Sequence, residues 1–410
     1  MLTIAPIAET PEAALVRALP AAPYLRRLHE TGVQGHWRDA LQAVREIPAD
    51  LPDAEAMAVM RKAKAQLHLS LAAEDLSGVL PVMGVTRALS EFAEESLEAA
   101  LRVSLARREL EGAGIFAVAL GKMGAYELNY SSDIDICVFY EPGVFMDGDF
   151  SAGETAQRIA RDLVRMMQEA TGDGYVFRTD LRLRPDPSST PLAVSTKMAD
   201  LYYESVGQNW ERMVWIKARP TAGDRAYAER FLKILQPFVW RRNLDYWALG
   251  DIQAIKRMIN SKVGSADLET VSPDVKLGPG GIREIEFFAQ TQQLILGGRQ
   301  PELRDNSTLG ALAALTGAGV VERATAEELE TAYLALRNLE HRVQMRRDEQ
   351  THTVPANEED RRDVAMLCGY EDLAAFDHDL QATRRCVQGH YDDLFAHEDR
   401  ALEESPLGNL

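Results

Sequence analysis

Apolar residues return at three- and four-residue spacing over 54–72 and 85–110, and few short apolar runs interrupt them, so the first 110 residues read as helix. The pattern changes at Gly112. Residues 115–120 form a short apolar run bounded by glycines, and 133–140 form another. In 175–184 the odd positions Tyr175, Phe177, Thr179, Leu181 and Leu183 are mostly apolar, and the even ones hold Arg178, Asp180, Arg182 and Arg184. Each of the three reads as a strand, the last ended by Pro185, Pro187 and Pro191, while 154–170 keeps a helical period. From about 236 the stretches 251–263, 282–296, 325–347 and 372–395 are helical again, set apart by Gly, Pro and Asn. The expected fold is α+β and mostly helical. An N-terminal helical segment (1–110) packs or positions, a core with a mixed sheet (111–235) carries the chemistry, and a helical bundle (236–400) and a tail (401–410) follow. Glu403-Glu404-Ser405-Pro406 in the tail reads as a linker, which suggests the front part of a longer chain.

Composition narrows the classes. With 46% hydrophobic residues in 410, a sizeable core can form and whole-chain disorder is excluded. A net charge of −18 is a poor match to a non-specific nucleic-acid binder, which needs a basic footprint. Cys137, Cys368 and Cys386 are too scattered for a disulfide framework or structural zinc, and the eight histidines show no metal-binding spacing. Residues 1–9 carry no basic leader and there is no apolar run of about 18 residues, so the expectation is a cytoplasmic protein that does not span a membrane.

The strongest chemical signal starts where the first apolar run ends, at Gly121-Lys122-Met123-Gly124, and continues to Ser131-Ser132-Asp133-Ile134-Asp135. Residues i and i+2 of a strand share a side, so Asp133 and Asp135 present their carboxylates together. Two such carboxylates repel unless a cation sits between them, and hard oxygen ligands suit Mg²⁺ or Mn²⁺. Asp180 supplies a third carboxylate for a two-metal site, and the neighbouring arginines suit phosphate oxygens. Gly121 and Gly124 allow close backbone approach to a phosphate, with hydroxyls from Ser131 and Ser132. A second glycine loop, Gly278-Pro279-Gly280-Gly281, precedes Arg283, Glu284 and Glu286. It reads equally as an anion site at a helix start or as a cap in which Arg283 and Glu286 pair. Trp210, Met213 and Trp215 read as core, Lys217 and Arg219 as facing pocket or solvent, and Arg337, Glu340, Arg346, Arg347 and Asp348 as a solvated helix face.

Several segments together resemble the bifunctional glutamine synthetase adenylyltransferase/adenylyl-removing enzymes over about residues 55–400. They are 121–136, 177–185, 210–212 with 217–219, 276–287, 297–299 and 348–355. Asn129-Tyr130-Ser131-Ser132-Asp133 and Gly281-Ile282-Arg283-Glu284-Ile285-Glu286 are more similar to the deadenylylating half of that family than to its other half. The resemblance implies a polymerase-beta-like nucleotidyltransferase core and phosphorolysis of AMP from a glutamine synthetase tyrosine, giving ADP. Asp133, Asp135 and Asp180 would hold Mg²⁺ or Mn²⁺, and Gly121, Lys122, Ser131 and Ser132 would contact ADP or ATP. Arg182, Arg184, Gly281 and Arg283 are candidates for phosphate, a reading from charge rather than from the family motif. Implied partners are glutamine synthetase, the PII signal protein and a C-terminal adenylyltransferase half. Two other readings stand beside it: addition of AMP from ATP, and a catalytically silent regulatory module. Met123, Ala125 and Asp186-Pro187 depart from the family pattern, the last in the loop after the third strand.

Overall fold

A computed structural model describes residues 1–146, 151–241 and 268–403, with side chains to residue 394. The expected helix at 251–263 and most of the tail lie outside the described residues. The chain opens with α1 (Pro11–Ala18), α2 (Pro23–Glu30), α3 (Trp37–Arg45), α4 (Asp53–Leu76) and α5 (Val82–Ala106). Local chemistry fixes where they start. Pro11 takes the first turn of α1, where its missing N–H is not needed, and the Thr10 hydroxyl accepts the Ala13 N–H. Asp39 closes a capping box with His36 at the start of α3.

The sheet follows. β1 (Ile115–Ala119) leads through the helical turn α6 (Gly121–Gly124) to β2 (Ile134–Tyr140), then α7 (Ala152–Gln168), β3 (Thr179–Asp180), β4 (Ala193–Ser195), α8 (Thr196–Ser205), α9 (Asn209–Ile216), β5 (Arg219–Gly223) and α10 (Arg225–Val239). The order is β3-β2-β1-β5, with β4 also paired to β2. β1 runs antiparallel to β2 and β5, while β3 and β4 run parallel to β2, so the sheet is mixed as expected. The strand period of two decides the layers. Ile115, Ala117, Ala119, Ile134, Ile136 and Val138 join one core with α1–α5 and α7. Phe116, Val118, Leu120, Cys137 and Phe139 join another with α8–α10. Both faces are covered, which is why these strands read as apolar runs rather than alternations.

The third predicted strand is much shorter than expected. Of 175–184 only Thr179–Asp180 pairs. The N–H groups of Val176 and Phe177 both donate to the Met167 carbonyl at the end of α7, and both side chains are buried. Beyond the pair, the Asp180 carboxylate accepts the Arg182 N–H in a local turn that bends the chain out of the sheet.

The C-terminal helices are α11 (Ile282–Leu296), α12 (Thr308–Gly317), α13 (Arg323–Met345), α14 (Glu358–Leu367) and α15 (Leu373–Glu403). They share a core of their own, which also takes in Leu2. No helix among the described residues is long and apolar enough to cross a membrane.

Candidate functional site

Asp133 stands immediately before β2 and Asp135 within it, and the parallel register sets Asp180 of β3 beside Asp135. The backbone on the other side is equally close. Gly121 has φ +52°, and a Cβ there would lie 2.6 Å from Asp135 Oδ2, so only glycine leaves the carboxylate room. Burial, then the charges of Asp133 and Asp180, push the Asp135 carboxyl up to about 7, against the pull of Lys276 and Arg182. Burial also works to raise Asp180, but hydrogen bonds from Arg182 outweigh it and hold the carboxyl below its ordinary value. Arg182 is 82% exposed and grips both Asp180 oxygens, at 3.0 and 2.9 Å from Nε. Asp135, pressed by the charges of Asp133 and Asp180, with Asp180 itself neutralised by a guanidinium, gives a set of hard oxygen donors short of positive charge, the chemistry that suits a divalent cation.

The other predicted residues fare unequally. Ser131 and Ser132 are buried beside Asp133. The Ser131 N–H donates to Gln344 Oε1 (2.9 Å) and its hydroxyl to Asp348 Oδ1 (2.5 Å). Lys122 is buried against Glu340, with Nζ 2.7 and 3.0 Å from the two carboxylate oxygens, rather than open to a nucleotide. Arg184 donates to the carbonyls of Leu181, Pro187, Thr190 and Pro191, so it closes the proline loop instead of presenting a free guanidinium. The second glycine loop is a packing device. A Cβ on Gly280 would lie 2.0 Å from the Arg384 carbonyl, one on Gly281 would lie 2.8 Å from the Gly278 carbonyl, and the Gly280 N–H already donates to Glu284. Arg283 is half-buried at the start of α11, and Glu286 pairs with Lys217 at 2.6 Å, not with Arg283.

The solvated helix face expected on α13 is instead buried. Arg337 and Glu340 are both 0% exposed. Arg337 Nη2 donates to the Glu127 carbonyl (2.5 Å) and to Asn129 Oδ1 (2.6 Å), and Glu340 takes Lys122. Glu127 in turn holds Lys217 (2.7 Å) and the Thr308 N–H at the start of α12 (2.8 Å). Burial disfavours the Lys217 charge, but Glu127 and Glu286 overcome it and keep the amine protonated. Opposite charges from distant segments make this burial tolerable, and helical periodicity alone cannot reveal them. Arg346 is buried too, held by Asp360 and Asp363, whereas Arg347 stays half-exposed. Arg219 reaches Glu94 over the Tyr126 ring. Met213 and Trp215 are core, but Trp210 is 38% exposed. Lys276, in the loop before α11, is a charge that the sequence did not single out and that works against the raised Asp135. Cys386 and His390, one turn apart on α15, meet Glu328 in a half-exposed cluster that the spacing of histidines alone does not disclose.

Residues 14–234, which hold the carboxylates and the whole sheet, match the family described as glutamate-ammonia ligase adenylyltransferase. The chain belongs to this adenylyltransferase family. Residues 253–395 match a second family, GlnD PII-uridylyltransferase. Among curated relatives, the bifunctional glutamine synthetase adenylyltransferase/adenylyl-removing enzyme of Rhizobium meliloti (strain 1021) is 47% identical over 415 residues, covering 97% of this chain and 41% of the relative. Those of Agrobacterium fabrum and Caulobacter vibrioides, under the same name, are each 48% identical, covering 87% and 94% of this chain and 37% and 42% of the relatives. The chain thus spans about two fifths of the length of the relatives it matches.

Proposed function

We propose that this chain removes AMP from adenylylated glutamine synthetase by phosphorolysis. The observation that carries the reading is the carboxylate triad, Asp135 against Gly121 and beside Asp180, in a chain of the adenylyltransferase family. Asp133, Asp135 and Asp180 would hold Mg²⁺ or Mn²⁺, which when bound neutralises charge on the transferring phosphoryl group. Gly121, with no side chain, leaves room at the Asp135 carboxylate, and Ser131 and Ser132 border the nucleotide phosphates. Arg182, exposed and already beside Asp180, is the best placed cation for the attacking phosphate. A phosphate oxygen bonds to the AMP phosphorus, the bond from that phosphorus to the tyrosine oxygen breaks, and the phenolate takes up a proton. The direction, removal rather than addition, rests on 129–133 and 281–286, which resemble the deadenylylating half.

The division into a helical segment, catalytic core, bundle and tail belongs to the same proposal, as do a cytoplasmic setting and an adenylyltransferase half elsewhere in a longer chain. A PII signal protein is the proposed regulator, supported by the match of 253–395 to a family named for PII uridylylation. The test is ADP release from adenylylated synthetase with phosphate and Mg²⁺, beside an arm with unmodified synthetase and ATP. Phosphate-dependent ADP is expected. AMP incorporation in the second arm without ADP release in the first would reverse the direction, and binding without turnover in either would leave a regulatory module.

A further inference from the structure

Behind the strand end that carries Asp133 lies a cavity of about 590 Å³, of a size that takes small ligands. It is walled by α2, α4, the turn at 171–175 and Asp348 just past α13. Its charged lining is Arg27, Arg61, Lys62 and Lys64 against Asp173 and Asp348, a basic balance in a chain of net charge −18. The Arg61 guanidinium is spent on the carbonyls of Met57, Met166, Glu169 and Gly174. Lys64 is not spent. It is only 4% exposed, and its ammonium has one long ionic partner: it sits 3.8 Å from the centre of the Tyr175 ring and 3.6 Å from Asp348 Oδ2. A buried ammonium with a ring on one side and, on the other, a single carboxylate at 3.6 Å that also takes Ser131 and Tyr175 is only partly compensated. Burial pulls its pKa down to about 8, and Asp348 only partly restores it.

Asp348 is shared with the catalytic side. It has a left-handed backbone (φ +55°), accepts the Ser131 hydroxyl on Oδ1 and lies 3.4 Å from the Tyr175 hydroxyl through Oδ2. Arg178 closes the ring by donating to the Tyr175 hydroxyl (2.8 Å) and to the Ser131 carbonyl. One carboxylate therefore faces the cavity cation and also holds a residue two positions before Asp133.

We propose that this cavity binds a small dianion, a phosphate or a dicarboxylate, through Lys64 with Lys62 and Arg27 at the rim, and that Asp348 relays its occupancy to Ser131 and the Asp133 strand end. The anion adds counter-charge to Lys64 and relieves Asp348 of that ammonium, leaving its carboxylate to Ser131 and Tyr175. The binding stands independently of the catalytic reading, whereas the functional weight of the relay rests on it.

The test is calorimetric titration of the chain, without added metal, with sodium succinate and separately with sodium phosphate. Saturable one-to-one binding of at least one probe is expected, and the tighter probe identifies the source of the anion. Lys64→Gln should weaken binding about tenfold, one charge-assisted contact's worth. Asp135→Asn should leave it within about twofold, which separates this cavity from a phosphate at the carboxylates. Should Lys64→Gln not fold, Lys62→Gln and Arg27→Gln at the exposed rim carry the same test with about threefold losses each. No saturable binding of either probe, or binding indifferent to all three substitutions, overturns the site. For the relay, hydrogen exchange at residues 131–135 should slow on saturation with the probe, and unchanged exchange there while binding persists overturns that part alone.

Discussion

At the scale of the residue, the site depends on room as much as on charge. Asp135→Asn keeps the shape of β2 but removes one of three ligating carboxylates, so ADP release should fall by roughly a thousandfold while the folded circular dichroism is retained. Near-normal release would remove Asp135 from the metal site. Gly121→Ala touches no charge, yet its methyl would fall 2.6 Å from Asp135 Oδ2 at a φ of +52°. It should cost about 1 kcal/mol of stability and lower metal affinity at least about tenfold, measured by Mn²⁺ titration. The pair Asp133 and Asp135 was legible in the sequence because a strand repeats every two residues. Their partner Asp180 was legible only as a residue type at a plausible distance along the chain; what it lies beside is a matter of register. The role of Arg184 was not legible. Its charge suggests phosphate, but the prolines that follow leave loop carbonyls without partners, and the guanidinium goes to those.

At the scale of the element, the apolar runs identified β1 and β2, and the helical periods identified α4, α5, α7 and α11 to within a few residues. Two readings failed for one shared reason, that distant segments spend the groups a local pattern leaves open. The 175–184 strand lost its backbone to the end of α7, and the charged face of α13 found Lys122 of α6 for Glu340 and the Glu127 carbonyl and Asn129 for Arg337. Glu340→Gln tests the second point. It would leave Lys122 and Arg337 buried without their carboxylate and should lower unfolding free energy by about 3 kcal/mol or more, read from the denaturant midpoint. A change under about 0.5 kcal/mol would mean that these charges are solvated after all. Arg184→Gln should leave phosphate affinity nearly unchanged while making 185–190 more open to proteolysis, whereas Arg182→Gln should weaken phosphate about tenfold.

At the scale of the whole molecule, the N-terminal helices, the sheet and α13 meet around buried polar groups, and this gives stability a pH dependence. Burial, then the nearby Lys64 charge, holds the His68 imidazole down to about 3, so it stays neutral in the fold. In the unfolded chain it takes a proton near pH 6.5. Between those values the unfolded state binds more protons, so stability falls as pH drops from about 6.5 towards 3, by at most about 1.4 kcal/mol per unit from this group. His68→Phe should flatten that slope in denaturant melts at pH 7 and pH 5, and an unaltered slope would place the acid sensitivity elsewhere. The bonds from Arg337, Glu340 and Asp348 to the loop before β2 have a further consequence, in time rather than in space. They join residues 208 to 218 positions apart in sequence. At a synthesis rate of about 5–20 residues per second, the Asp133–Asp135 segment leaves the ribosome roughly 10–40 seconds before the helix that braces it. For that interval the nascent chain carries its acidic pair without its scaffold, so a ribosome-stalled product ending before α13 should show the sheet in hydrogen exchange but leave residues 127–133 unprotected.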